Sequence, residues 1–336
     1  MEFRTKRPLA WLGTLVLAIG LAACGGGGGG GASEVVDTPD ARNGDYVVFA
    51  ADARQYTLTL DFDAEVWRLT GNGADTVGTF DASGNDFVFA PTIGAAPPVN
   101  NARFSQFGDT VVGGLRLAGA LVPFIGSRSF VTTVAEAAGA YKFLTTTLDT
   151  AGLPNNFIFT GEIVAPATLR YCIDNAVVTI AACPPGSVAT GALTVSGSDF
   201  RADFGAAGSF PFRVARVGSD KVFLRASAAA GTTRRFWVGV DQNTAFADVT
   251  FSGVNNVIHR TTTTLTAATL STTLLSEANA TTNRTGTVNA GAVPGLVTIT
   301  TALDGNFFAM RSADLGFVFA ARNNPTHPGY VEIGRR

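Results

Sequence analysis

The side chains able to do chemistry are few and scattered. The 336-residue chain holds three cysteines and two histidines. Cys24 follows Leu21-Ala22-Ala23 and precedes the seven glycines Gly25 to Gly31, whereas Cys172 and Cys183 bracket Ile173 to Ala182 far downstream. A hydrolase needs a nucleophile with a base within hydrogen-bond reach, and the chain has no Gly-x-Ser-x-Gly. His259 ends the short apolar run Val257-Ile258, and His327 sits in the turn Asn324-Pro325-Thr326-His327-Pro328; both read as structural residues. Asp61, Asp63 and Glu65 alternate along a strand, so the two aspartates share its solvent face. A glycosidase needs its acids across a sugar-sized gap, and calcium needs six to eight oxygens. Asp81-Ala82-Ser83-Gly84-Asn85-Asp86 comes nearest to a calcium loop, but it recurs as Ser196-Gly197-Ser198-Asp199 without the first acid, which marks a hairpin turn. No phosphate loop, dinucleotide fingerprint or zinc helix is present. The reading therefore assigns no catalytic residue, metal or cofactor, and leaves the ligand site unknown.

The elements that hold these groups begin with an address. Arg4, Lys6 and Arg7 precede an apolar run from Leu9 to Leu21 that contains Gly13 and Gly20. A membrane span needs roughly 20 apolar residues, so this shorter run, ending in small residues, reads as a cleaved export signal over residues 1–23. Leu21-Ala22-Ala23-Cys24 resembles the lipobox of bacterial lipoproteins. The resemblance covers only the first 24 residues, and it implies diacylglycerol on the Cys24 thiol with cleavage just before it. Gly25 after the cysteine, where inner-membrane lipoproteins of that class tend to carry Asp, implies the outer membrane, with the body periplasmic or surface-exposed. Residues 24–43 then read as lipidated Cys plus a glycine-rich tether, because glycine loses the most conformational freedom on ordering and has no side chain to bury. Export also places Cys172 and Cys183 where thiols oxidise, so a disulfide is expected across Ile173 to Ala182, folded as a hairpin. Zinc is a poor reading of that pair, since neither histidine lies near in sequence.

Composition bounds the partners. The chain is 46% hydrophobic and 15% charged with a net charge of −2, and only Lys142 and Lys221 remain as lysines beyond the signal. A nucleic-acid binder needs a basic face to neutralise phosphates, so that class is excluded. Twenty-five Phe and 39 Gly favour strands and turns over helices.

Period-two alternation dominates the body. Gln55 to Asp63 puts Tyr56, Leu58, Leu60 and Phe62 on one face; Phe157-Phe159-Gly161-Ile163, Leu169-Tyr171-Ile173, Phe210-Phe212-Val214, Val222-Leu224-Ala226 and Phe236-Val238-Val240 follow the same rule. Trp67 and Trp237 could bind a glycan or fill a core, and alternation against Phe236 and Val238 points Trp237 outward. A short helical turn is expected at Val134 to Ala138. The chain also repeats. Gly44-Asp45-Tyr46 and Gly139-Ala140-Tyr141 open units about 95 residues apart. Gly78-Thr79-Phe80, Gly191-Ala192-Leu193 and Gly286-Thr287-Val288 recur within the units, as do the hairpins Phe104 to Leu117, Phe210 to Ala226 and Phe307 to Ala321. Final strands are expected at Arg128-Ser129-Phe130, Arg234-Arg235-Phe236 and Tyr330-Val331-Glu332. The Thr-rich stretch Thr261 to Thr285 reads as long exposed strands or a loop.

These marks predict an all-β, antiparallel body of three degenerate units, 44–138, 139–241 and 242–336, each of about eight strands. Clean alternation favours tandem up-and-down barrels or sandwiches over the alternative, a six-bladed β-propeller, whose central strands are buried on both faces. The expected function is that of a cell-envelope lipoprotein, non-enzymatic, binding an envelope or extracellular protein, glycan or lipid, or serving a structural role. An apolar-ligand carrier using a barrel interior is the alternative, and a glycan-active or propeller-type hydrolase the second.

Overall fold

The computed structural model describes residues 38–90, 97–174, 178–228, 233–242, 248–322 and 324–336. The signal, Cys24 and the glycine run lie outside the described residues. The body is three closed antiparallel barrels in tandem, each of eight strands in meander order. Barrel 1 comprises β1 (Gly44–Ala50), β2 (Gln55–Asp61), β3 (Val66–Gly71), β4 (Ala74–Ser83), β5 (Asp86–Ala90), β6 (Arg103–Phe107), β7 (Thr110–Leu117) and β8 (Ala120–Ser127). A four-residue helix, α1 (Val134–Ala137), leads into barrel 2: β9 (Gly139–Leu148), β10 (Pro154–Val164), β11 (Thr168–Cys172), β12 (Val188–Ser196), β13 (Asp199–Asp203), β14 (Ser209–Val217), β15 (Asp220–Ala228) and β16 (Arg234–Asp241). Barrel 3 comprises β17 (Val249–Asn255), β18 (His259–Leu265), β19 (Thr269–Ser276), β20 (Thr281–Ala290), β21 (Leu296–Thr301), β22 (Asn306–Arg311), β23 (Leu315–Ala320) and β24 (Val331–Arg335). First and last strands pair in each case, β1 with β8, β9 with β16 and β17 with β24, so each unit closes on itself and the propeller alternative is ruled out.

Local sequence explains the hairpins. In the turns after β4 and β12, Gly84 and Gly197 hold the same place at φ +66° and +59°, a left-handed conformation that glycine adopts without a steric cost. The alternating face of β2 turns inward, with Tyr56, Leu58 and Leu60 buried. Barrel 1 is filled by rings: Phe62 lies 5.2 Å from Phe80, and Phe87 stacks 5.0 Å from Phe104.

The barrels also pack outer face to outer face. One apolar cluster joins Leu144, Phe236 and Val238 of barrel 2 to Phe317, Phe319 and Ile333 of barrel 3 and to the core of barrel 1. Phe236 stacks on Phe319 at 6.3 Å. Gly114 of β7 meets barrel 3 closely: a Cβ there would lie 2.8 Å from Val254 Cγ2. Polar ties flank the seam. Asn101 Nδ2 donates to the carbonyls of Ile258 (3.1 Å) and Leu275 (2.9 Å), and Arg116 pairs with Glu277. Asn156 Nδ2 donates to the carbonyls of Ala320 (3.1 Å) and Tyr330 (3.0 Å). Strands at the seam are buried on both faces; β8 is buried from Leu121 to Ser127 and β23 throughout.

Four expectations about the extent and type of the elements change. The last strand of barrel 1 ends at Ser127, and Phe130 instead bridges Ala215 of barrel 2, because Arg128 to Phe130 already belong to the connection between barrels. Residues 40–43, expected in the tether, dock on barrel 1: the backbone N–H of Asp40 donates to Asp63 Oδ2 (3.1 Å), and Arg42 stacks on Phe62 at 4.1 Å. The Thr tract forms β18, β19 and the start of β20, with Thr261, Thr263 and Thr272 buried rather than exposed. The described residues of the stretch Ile173 to Ala182, expected to fold as a hairpin, hold no strand and end in a short 3₁₀ turn, Ile180–Ala182.

Candidate ligand-binding site

Among the described residues, barrel 2 is plugged at one end and holds a cavity at the other. At the closed end, Val131 and Ala137 from the connection and α1 are fully buried in the barrel core, and Tyr141 donates its hydroxyl to the Ala137 carbonyl at 2.6 Å. Thr133 caps α1 by accepting from the Glu136 N–H at 3.2 Å, which fixes the plug. Above it Phe143, Phe212 and Phe223 fill the middle, with Phe212 and Phe223 stacked at 4.2 Å.

The fill stops at the next layer. A cavity of about 1080 Å³ opens there and runs to the groove against Val293, Leu296 and Phe308 of barrel 3. That volume suits a small molecule. Its floor is aromatic: Trp237 lies 5.0 Å from both Phe159 and Phe210, and Tyr171 lies 5.0 Å from Phe204. Register fixes these faces. Trp237 pairs with Thr145 and Arg225 pairs with Trp237, so all three point inward. Trp237, expected to face outward, is therefore a cavity residue; Phe236 and Val238 are the ones that leave the barrel, into the seam.

Arg225 is the unexpected member. It is 2% exposed, with its guanidinium 3.8 Å from the Phe210 ring and 4.3 Å from the Trp237 ring. Nε donates to Ser227 Oγ at 3.0 Å, while the buried Nη1 has no hydrogen-bond partner among the described residues. Burial, with Arg235 adding repulsion, pushes its pKa down to about 9, which leaves it charged at neutral pH. Arg201, Arg235 and Arg322 complete a basic lining, opposed by Asp174. The Cys172–Cys183 disulfide, 2.05 Å between sulfurs, ties the loop after β11 to this side of the cavity, as expected from export.

Barrel 3 also holds polar groups, but in a packed interior. Glu332 is fully buried and accepts from Thr263 Oγ1 and from the Tyr330 hydroxyl, each at 2.6 Å. Burial raises its pKa against those hydrogen bonds and the nearby Arg284. Arg284 Nε donates to Asp304 at 2.8 Å; burial of Asp304 is outweighed by Arg284 and His327, so its carboxyl titrates below the usual range. His327 lies 3.2 Å from Asp304, and burial, with Arg284 and His327 adding repulsion, lowers the pKa of the half-buried His259. The network ties β18, β20 and β24 together through side chains.

Other sequence candidates serve local structure. Asp61 accepts from the N–H groups of Asp63 (3.0 Å) and Ala64 (2.9 Å), capping the turn after β2. Asp86 accepts from Ser105 at 2.5 Å and pairs with Arg103 at 3.5 Å. Trp67 Nε1 donates to the carbonyls of Thr79 (2.9 Å) and Ala90 (3.1 Å), inside barrel 1. Among the described residues no three His, Cys, Asp or Glu side chains group as metal ligands. The signal for Arg225 was a lone cation inside the apolar run Val222-Phe223-Leu224-Arg225-Ala226. Comparison with protein-family models and with curated proteins finds no match to the chain.

Proposed function

We propose that this protein is a lipid-anchored envelope protein that binds a small, largely apolar molecule in the open end of barrel 2. Cys24 carries the anchor, the glycines space the body from the bilayer, and barrels 1 and 3 brace barrel 2. The observation that carries the reading is the contrast of interiors: barrel 1 is packed with stacked Phe rings and barrel 3 with a hydrogen-bonded polar core, whereas a cavity of about 1080 Å³ starts over the aromatic floor of barrel 2 and continues into the groove against barrel 3. A rigid concave apolar site with a few polar groups is the usual form of a small-molecule site.

Two measurements test the proposal. Titration of the purified protein with decanoate and decanol, followed by calorimetry and by the fluorescence of Trp237, should give one saturable site per chain; absence of binding by both overturns the ligand reading. Cells fed a labelled fatty-acid analogue should label the wild type and not Cys24→Ser, and persistent labelling of that variant overturns the anchor.

A further inference from the structure

Among the described residues three arginines are buried, one in each barrel, and two of them bring their own carboxylate. Arg103 pairs with Asp86 at 3.5 Å and Arg284 with Asp304 at 2.8 Å. Arg225, the most buried of the three at 2% exposed, has no carboxylate within ion-pair distance among the described residues. Its Nη1 is left without a hydrogen bond, and the residue lines the cavity. A guanidinium taken out of water without a counter-charge is costly, and the Phe210 and Trp237 faces offset only part of that cost. They also lock the fork in one orientation, with Nε spent on Ser227 at 3.0 Å.

We propose that Arg225 is the head-group clamp of this cavity and that the ligand is an amphiphile with an oxyanion head, a carboxylate, and an apolar body lying on the aromatic floor. The inference rests on the ligand-binding reading above and names its substrate class. A planar fork with a free N–H edge matches a carboxylate. Arg235 stands on the adjacent strand β16, paired with Ser227, and adds positive potential at the mouth. Arg322, 5.0 Å above the Phe157 ring, does the same from barrel 3. The ligand supplies from outside the charge that Asp86 supplies to Arg103 in the seam between barrels 1 and 3, and that Asp304 supplies to Arg284 in barrel 3.

The test uses four probes of one chain length on the purified protein: decanoate, decyl sulfate, decanol and decylammonium. Decanoate should bind roughly tenfold or more tighter than decanol, the loss expected when a charge-assisted bond is removed, and decylammonium most weakly. Arg225→Met keeps the bulk and should bring decanoate down to the affinity of decanol while decanol binding persists. Decyl sulfate matching decanoate supports the clamp and widens the head group to other oxyanions. Equal affinity of decanoate and decanol in the wild type overturns the clamp but leaves the cavity a ligand site, whereas no binding by any probe removes the site itself. The wild-type series decides the matter even where Arg225→Met fails to fold.

Discussion

Tyr46 and Tyr141 make the same bond in successive barrels. Each opens the first strand of its barrel and donates its hydroxyl to the carbonyl four residues back, Tyr46 to Arg42 at 2.8 Å and Tyr141 to Ala137 at 2.6 Å. Gly44 at φ +136° and Gly139 at φ +151° turn the chain from the incoming segment into the strand just before each ring. The bond staples the segment that closes the barrel end, residues 40–43 in one case and α1 in the other. Burial raises the pKa of both phenols, so they remain donors at neutral pH. Tyr46→Phe and Tyr141→Phe should each cost about 1 kcal/mol, and the double variant about the sum, since the sites share no partner. Urea unfolding midpoints measure this; unchanged midpoints for both single variants would deny the staple a role.

The seam between barrels 1 and 3 depends on Gly114. A side chain there must displace Val254, whose Cγ2 would sit 2.8 Å from the new Cβ. Gly114→Val should destabilise by about 1–3 kcal/mol through overpacking, and a smaller residue opposite, Val254→Ala, should recover part of that loss. A double-mutant cycle on thermal unfolding reads the coupling, and strict additivity of the two changes would show that the barrels do not touch there.

Glu332 makes stability depend on pH. Its folded pKa is raised above 4.5, with burial the largest cause. The folded state therefore holds this proton more tightly than the unfolded chain. The stability it contributes is complete below pH 4.5 and is lost as pH rises through the folded value. Glu332→Gln should lack that loss, so its Tm relative to wild type should climb as pH rises from acid toward neutral. Parallel Tm curves across that range would refute the assignment. The depressed carboxyl of Asp304 acts in the opposite sense, losing its contribution as pH falls, and is common to both proteins.

Closure of the loop between Cys172 and Cys183, 11 residues apart, restricts the unfolded chain. The loop-entropy relation gives about 3 kcal/mol for a loop of this size. The Cys172→Ser, Cys183→Ser double variant should lose that much stability. It should also bind the decanoate probe more weakly, because Cys172, Ile173 and Asp174 line the cavity. Unchanged binding in a folded variant would separate the disulfide from the site.

The sequence by itself determined the strands, the turns and the threefold repetition. Alternation over Tyr56 to Phe62, the recurring Ser-Gly turns at Gly84 and Gly197, and the paired Gly-x-Tyr openings are local properties, set by side-chain direction on a strand and by backbone angles that few residues accept. The site was another matter. Val222-Leu224-Ala226 and Phe236-Val238-Val240 read as inward faces because they are apolar, yet they form the outer wall of barrel 2, buried by its neighbours. Their opposite faces, Phe223 with Arg225 and Trp237, are the interior. A strand buried on both sides carries no label for inside and outside. That label comes from the register with Thr145 and from the packing of three barrels against one another, which tertiary structure alone decides. The same packing fills barrels 1 and 3 and leaves barrel 2 open, with the guanidinium of Arg225 at its wall.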